Sequence, residues 1–174
     1  MQSVLSEPAL LLSFDSARGS VLTADGAAAG WFESSHWRTF RLLEADEIAV
    51  VAEGGAREFS PGGPLTKQEW WPVMRGDGER LGYVNRVGAW TLDNKRVLHC
   101  TVPLIGGRSE VSESSGGAVV ARVARLGRRA GQSSTLLTRF SSDRYRIDFE
   151  TDDRDVRRLV VALAYQYHQG HMDE

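Results

Sequence analysis

The chain has 174 residues, of which 21 are Lys or Arg and 23 are Asp or Glu, so its formal net charge is −2. Its 41% hydrophobic and 25% charged residues are typical of one globular domain over residues 1–174, and they exclude wholesale disorder and fibrous repeats. We expect a cytoplasmic protein, because no apolar run reaches the roughly 20 residues of a membrane span, no signal sequence begins the chain, and Cys100 is its single cysteine.

Short apolar or aromatic runs separated by turn residues predict β-strands along most of the chain. The predicted strands are residues 10–14, 37–43, 47–52, 81–84, 97–102, 118–124, 135–140 and 145–149. In the last of these, Tyr145, Ile147 and Phe149 alternate with charged residues, which indicates one buried and one solvated face. The glycine-rich stretch 53–63 predicts a loop or hairpin tip.

A turn signal followed by a short strand occurs three times. Asp25-Gly26 precedes the triplet 30–32 (Gly-Trp-Phe), and Asp77-Gly78 precedes the triplet 82–84 (Gly-Tyr-Val), while a weaker copy begins at residues 115–117. Asp-Gly between apolar runs is a strong hairpin signal. Because the copies are unevenly spaced, a regular solenoid or propeller is excluded, and a barrel or a sandwich built from meanders remains.

The last part of the chain predicts an α-helix. Asp152 and Asp153 supply a capping carboxylate, and Asp155 adds negative charge to the first turn. Residues 159–165 are apolar or nearly so on every side, which is typical of a helix that is buried all round. We expect Gly170 to end this helix. A buried strand is the alternative, although the acidic cap and the alanines weaken it. Four helix residues are placed in the core: Leu159, Val160, Leu163 and Ala164.

A mostly antiparallel β chain that ends in one hydrophobic helix resembles the tubby C-terminal-like group, which comprises the tubby proteins, the phospholipid scramblases and the LURP-one-related family. The three turn signals, with the strand 145–150 leading into 152–167, carry the resemblance across most of the chain. The resemblance implies a mainly β fold, in which a closed antiparallel barrel of about a dozen strands surrounds a C-terminal hydrophobic helix. Tubby proteins bind phosphoinositides through a basic pocket, whereas the LURP-one-related proteins are nearest in size.

Candidate catalytic and metal-ligating residues are few. His168 and His171 have ligand-type spacing, but no Cys or acidic pair completes a tetrahedral set, so we interpret them as polar residues of a helix end and tail. Adjacent strand residues point to opposite faces, so His99 cannot act as the base for Cys100, which we expect to pack in the core. The sequence has neither a nucleophile elbow nor a phosphate-binding loop. We expect no catalytic residue, metal or cofactor.

Charge is distributed unevenly in the C-terminal part of the chain. Residues 117–147 hold seven arginines and one acid, whereas 148–174 hold seven acids and three arginines. One interpretation is that the two regions neutralise each other across neighbouring strands and the helix start. The other is that Arg125, Arg128 and Arg129 lie at a loop tip and meet anionic head groups. Nucleic acid is not an expected partner, because the net charge is negative and no aromatic residues interleave these arginines.

Two adjacent tryptophans form a second candidate surface. Trp70 and Trp71 cannot both face inward on a regular strand. We therefore expect one of them to be exposed, or covered by a loop or by a partner subunit.

The sequence leaves two function classes open. The first is a non-enzymatic binding or scaffold domain that contacts anionic phospholipid or a protein partner through the arginine-rich loop. The alternative is a small-ligand-binding barrel or an enzyme with an interior pocket. These differ in the volume left inside the barrel, since a helix that fills the interior leaves little room for a ligand.

Overall fold

The computed structural model describes residues 3–13, 18–35, 39–46, 49–59, 69–85, 88–101, 108–114, 116–126 and 144–172. Within these ranges the chain forms thirteen β-strands and one α-helix. The strands are β1 (Ala9–Ser13), β2 (Arg18–Thr23), β3 (Ala28–Ser34), β4 (Phe40–Glu44), β5 (Val50–Gly54), β6 (Glu58–Phe59), β7 (Glu69–Arg75), β8 (Arg80–Val84), β9 (Gly88–Thr91), β10 (Val97–Cys100), β11 (Arg108–Glu113), β12 (Val119–Leu126) and β13 (Arg144–Phe149). The helix α1 spans Arg154–Met172, and a 3-10 turn spans Val4–Ser6.

Twelve of the strands form a closed antiparallel ring. Around the ring the strands neighbour one another in the order β5-β4-β3-β2-β1-β13-β12-β11-β10-β9-β8-β7. Pairing of β7 with β5 closes the ring. Residues Ala52 and Arg75 are partners in that closing pair. The two residues of β6 extend the pairing of β7 outside the ring, within the segment predicted as a loop. The predicted barrel of about a dozen strands is confirmed, whereas the predicted strand 135–140 lies outside the described residues.

The three repeated turn signals are hairpin turns at one end of the barrel. They join β2 to β3, β7 to β8 and β11 to β12, which are antiparallel neighbours. Gly26, Gly78 and Gly117 have φ angles of 88°, 84° and 71°. These positive values belong to the left-handed region that glycine enters without steric cost, so the turn glycines follow from backbone geometry.

Helix α1 occupies the interior of the barrel. The Asp153 carboxylate accepts hydrogen bonds from the backbone N–H groups of Asp155 (2.9 Å) and Val156 (3.2 Å), so the predicted cap is formed. The eight consecutive residues 159–166 are all buried. Eight residues make more than two turns and therefore cover every side of the helix, so the barrel wall surrounds it. The four predicted core residues are buried as expected.

The end of the helix differs from the prediction. The helix continues through Gly170 to Met172, because packing inside the barrel outweighs the low helix propensity of one glycine. His168 is buried, and its Nδ1 lies 3.4 Å from the hydroxyl of Tyr145, so it is not part of a solvated helix end. The side chain of His171 lies outside the described residues.

The N-terminal residues close the barrel end at which the helix begins. Val4 and Leu5 are buried, and the backbone N–H of Val4 donates a hydrogen bond to the Glu44 carboxylate at 2.7 Å. The 3-10 turn also contacts the start of the helix. The connections with the three glycine turns lie at this same end, and the helix terminates at the opposite end.

Candidate functional site

Side chains from the strands and the helix meet inside the barrel. The rings of Phe32, Phe40 and Tyr165 lie with their centroids 5.2 Å apart in each pair, which links β3 and β4 to the helix. Protein interiors are packed at the density of organic crystals, so contacts of this kind occupy the space that an interior ligand pocket would need.

Five arginines lie at strand ends around the end of the barrel where the helix terminates. Neighbouring strands run in opposite directions, so the start of one strand lies beside the end of the next. The starts of β2, β11 and β13 therefore lie at the same end of the barrel as the end of β12. The residues just after β5 lie at this end too. We call these residues the arginine rim: Arg18, Arg57, Arg108, Arg125 and Arg144. Of the three arginines predicted to form the loop tip, Arg125 is an exposed member of the rim. Arg128 and Arg129 lie outside the described residues.

Two rim arginines flank exposed apolar side chains. Leu126 is the direct partner of Arg144, and Ala124 is the partner of Arg108 in the neighbouring pair of strands. Directly paired residues on one face lie about 5 Å apart, so these side chains are neighbours. Leu126 is 39% exposed. Among the described residues, none forms an ion pair with Arg108 or Arg144, so this part of the rim combines uncompensated positive charge with apolar surface.

On the barrel wall below this part of the rim, two arginines are paired with three acids. Arg122 pairs with Glu110 at 3.4 Å and also with Glu150, while Arg146 binds Asp148 at 2.8 Å. The mutual neutralisation weighed from the sequence therefore exists on the wall.

The other side of the rim holds its arginines by different contacts. The Arg18 guanidinium lies 4.4 Å above the ring of Trp31, which is a cation–π distance. Arg57 pairs with Glu69 at 2.8 Å, and both side chains are about half exposed. Exposed ion pairs contribute only about 0–1 kcal/mol, and Glu69 compensates the charge of Arg57 as the wall acids compensate theirs.

The two adjacent tryptophans lie on opposite faces of β7. Trp71 is 2% exposed and packs inside the barrel, where it is inaccessible to a partner. Trp70 faces outward, with its ring centroid 4.6 Å from that of Trp90 and 5.5 Å from that of Tyr83. Trp70 is thus covered in part by neighbouring strands of its own barrel.

The opposite end of the barrel is acidic. In the described residues, its connections and the chain before β1 carry nine acids but only Lys95 and Arg96 as basic residues. The acids are Glu7, Asp25, Asp46, Asp77, Glu79, Asp93, Glu150, Asp152 and Asp153. These connections are therefore net negative, although Arg75, Arg80 and Arg154 lie at strand and helix ends there, and Glu33, Glu53 and Glu69 lie at strand ends beside the arginine rim.

A cleft of about 380 Å³ opens at the acidic end, between two hairpins and the start of the helix. Its innermost cations are already paired, because Arg75 binds Asp155 at 2.7 Å and Arg96 binds Asp153 at 2.6 Å. The Arg75 guanidinium lowers the pKa of the Asp155 carboxyl below its ordinary value of 3.8. These pairs tie the hairpins to the helix start, and they give the cleft a structural role.

The remaining candidates from the sequence are the single cysteine and the metal-ligating side chains. Cys100 is half-buried and packs against the core, and burial raises the pKa of its thiol. Within the described ranges, no group of three or more metal-ligating side chains comes together. The same part of the chain contains no helix with the length and hydrophobicity needed to cross a bilayer.

Four of the five rim arginines were missed by sequence reasoning. Arg108 begins β11, whose sequence Arg-Ser-Glu-Val-Ser-Glu has a single apolar residue and gives almost no strand signal. Arg144 directly precedes a predicted strand, so its position at a strand end could have been found. Arg18 and Arg57 join the rim only through barrel closure, which sequence spacing does not reveal.

The fold of the chain is similar to that of a known structure. No protein-family model matches the sequence, and no curated protein is significantly similar to it. The X-ray structure of a protein from Arabidopsis thaliana, AT5G01750, matches with a TM-score of 0.57 at 15% sequence identity. The match covers 91% of this chain and 92% of that chain, so the two share their fold over nearly their whole length.

Proposed function

We propose that this protein is a non-enzymatic binding domain that contacts anionic phospholipid surfaces through its arginine rim. The observation that supports this most is the group on β11–β13, where Arg144 pairs with the exposed Leu126, Arg108 pairs with Ala124, and neither arginine has an acidic partner among the described residues. Arg125 lies at the same strand end on the face opposite Leu126, and the sequence places Arg128 and Arg129 a few residues after it.

The physical basis is the attraction between arginine and phosphate. A guanidinium offers a planar fork of donors that matches phosphate oxygens, and neighbouring arginines repel one another until an anion binds between them. Each basic residue near an anionic bilayer contributes about 1 kcal/mol. Leu126 adds apolar surface that is removed from water when it enters the headgroup region.

The proposal also assigns the chain to a protein family and to a cellular location. We place the chain in the tubby C-terminal-like group, near its LURP-one-related members, because the barrel, the central helix and the three glycine turns occur together. We place the protein at the cytoplasmic face of membranes, where the anionic lipids that attract basic surfaces are found.

Binding to vesicles tests the proposal. The wild type is expected to sediment with vesicles containing phosphatidylserine and to remain free in the presence of pure phosphatidylcholine vesicles. The double variant R108S/R144S is compared with K95S/R154S, which removes the same charge at the acidic end from two exposed residues. The rim variant should bind about fivefold more weakly per arginine, which corresponds to about 1 kcal/mol each. The control variant should bind as the wild type does.

Two outcomes contradict the proposal. One is a wild type that ignores anionic vesicles at low salt, and the other is equal weakening by the rim and control variants. Melting temperatures that match the wild type exclude unfolding as the cause of lost binding. In the first case a protein partner covering the half-buried cluster around Trp70 becomes the leading function.

A further inference from the structure

The rim arginines are distributed around the barrel and are not confined to one side. Arg108, Arg125 and Arg144 lie on β11–β13, whereas Arg57 follows β5, which is six strands away from β12 around the twelve-strand ring. Arg18 begins β2, which is separated from β13 by β1 alone. A flat surface can contact all five positions only when it lies across the end of the barrel.

The ion-paired wall argues against docking on the side of the barrel. A membrane against β11–β13 would face Arg122 and Arg146, whose charges are compensated by Glu110, Glu150 and Asp148. Such a contact would also desolvate those carboxylates near anionic lipid, which costs free energy. The wall therefore offers an anionic surface less attraction than Arg108 and Arg144 do, which form no ion pair with a described residue.

The acidic end orients the molecule in the same direction. Its nine described acids face away from the surface when the rim faces it, and the opposite orientation would bring like charges together. A charge distribution of this kind steers an approaching molecule before contact, over about a Debye length.

We infer that the barrel docks end-on on an anionic membrane. Its axis is perpendicular to the membrane plane, and the C-terminal end of the helix faces the lipid. This inference rests on the proposed function and specifies its geometry. Trp70, near the start of β7, lies at the same end on the side away from Leu126.

Site-specific fluorescence tests the orientation. An environment-sensitive fluorophore is attached to one engineered cysteine at a time in a C100S background. The three positions are Ala56, which is exposed beside Arg57 on the rim, Leu11, which lies on the wall and pairs with Arg146, and Ala24, which is exposed at the acidic end. End-on docking predicts increased emission for the label at Ala56 on phosphatidylserine vesicles, and no change at Leu11 or Ala24.

A second variant pair gives an independent readout. R18S/R57S removes two arginines that lie outside β11–β13, and it should weaken sedimentation with phosphatidylserine vesicles, by less than R108S/R144S does because Arg57 is paired with Glu69. A response at Leu11 without one at Ala56, or unchanged binding of R18S/R57S, would overturn end-on docking while the proposed function stands. Sedimentation with no response at Ala56 would also overturn it. Loss of all vesicle binding by the wild type would instead contradict the proposed function.

Discussion

A buried arginine joins the two ends of the chain: the guanidinium of Arg157 donates a hydrogen bond to the backbone carbonyl oxygen of Leu5 at 2.6 Å, across 152 sequence positions. It also donates to the carbonyl oxygens of Glu7 at 2.9 Å and Thr151 at 2.6 Å, and its side chain is 5% exposed. Burial lowers the pKa of Arg157. Carbonyl oxygens and the Asp152 carboxylate, at 3.1 Å, therefore stabilise a desolvated cation that fastens the N-terminal segment to the helix.

Replacing Arg157 with Met should destabilise the protein by about 3–5 kcal/mol, because one buried and two partly buried carbonyl oxygens lose their donor. Urea unfolding followed by tryptophan fluorescence measures the change. The matched control is Arg154→Met, since Arg154 is exposed and donates a single bond, to Ser6 Oγ at 3.1 Å. That control should shift the free energy of unfolding by no more than about 0.5 kcal/mol. Equal effects of the two substitutions would show that Arg157 does not fasten the segment.

The central helix provides a second prediction. Leu163 is 3% exposed inside the barrel, so Leu163→Asp places a carboxylate where water cannot solvate it. The expected cost of several kcal/mol is enough to unfold a domain of ordinary stability. Leu92→Asp, at a half-exposed position in the β9–β10 turn, should leave the melting temperature nearly unchanged. Cooperative melting of L163D near the wild-type temperature would contradict the central position of this helix.

Acid unfolding should reveal the pair between Asp155 and Arg75. The Arg75 hydrogen bond lowers the pKa of Asp155 in the folded state, so the unfolded chain binds this proton more readily. The stabilisation is complete above the unfolded pKa of about 4 and is lost as the pH falls through the folded value. The stability difference between the wild type and Asp155→Asn should therefore be constant at neutral and mildly acidic pH and shrink below pH of about 4. A difference that persists unchanged at lower pH would contradict the assignment.

Close approach of two strands gives a prediction for glycine. A Cβ on Gly82 would collide with the backbone carbonyl oxygen of Trp90 on the paired strand, and backbone atoms can move only by distorting the sheet. Gly82→Ala should therefore cost more stability than Gly26→Ala, whose Cβ would meet no atom within 4 Å. The cost at Gly26, about 1 kcal/mol, comes from its positive φ alone. Thermal unfolding of the two variants compares these effects.

The parts of the fold that the sequence predicted best have strong periodic patterns. Tyr145, Ile147 and Phe149 alternate with charged residues, and they face the core as expected. The run 159–165 is apolar on all sides, which left a buried helix as the preferred structure. The Asp-Gly turns were found because only glycine adopts their backbone angles easily.

The parts that were missed depend on contacts between distant residues. Gly170 did not end the helix, which continues to Met172 while His168, just before it, is buried against Tyr145. The rim joins Arg18 and Arg144 through the pairing of β1 with both β2 and β13, which no local spacing encodes. A candidate site of this kind can be identified only when the pairing of all the strands is known.

The salt dependence of wild-type binding to phosphatidylserine vesicles tests the central claim most directly, because it needs no substitution and isolates the electrostatic attraction. The Debye length falls from about 30 Å at 0.01 M salt to about 10 Å at 0.1 M and 3 Å at 1 M. Binding through the arginine rim predicts a large bound fraction at the lowest salt concentration, a steep decrease through the middle of this range, and release at the highest. A bound fraction that stays constant across the range, or the absence of binding at 0.01 M, would contradict the claim.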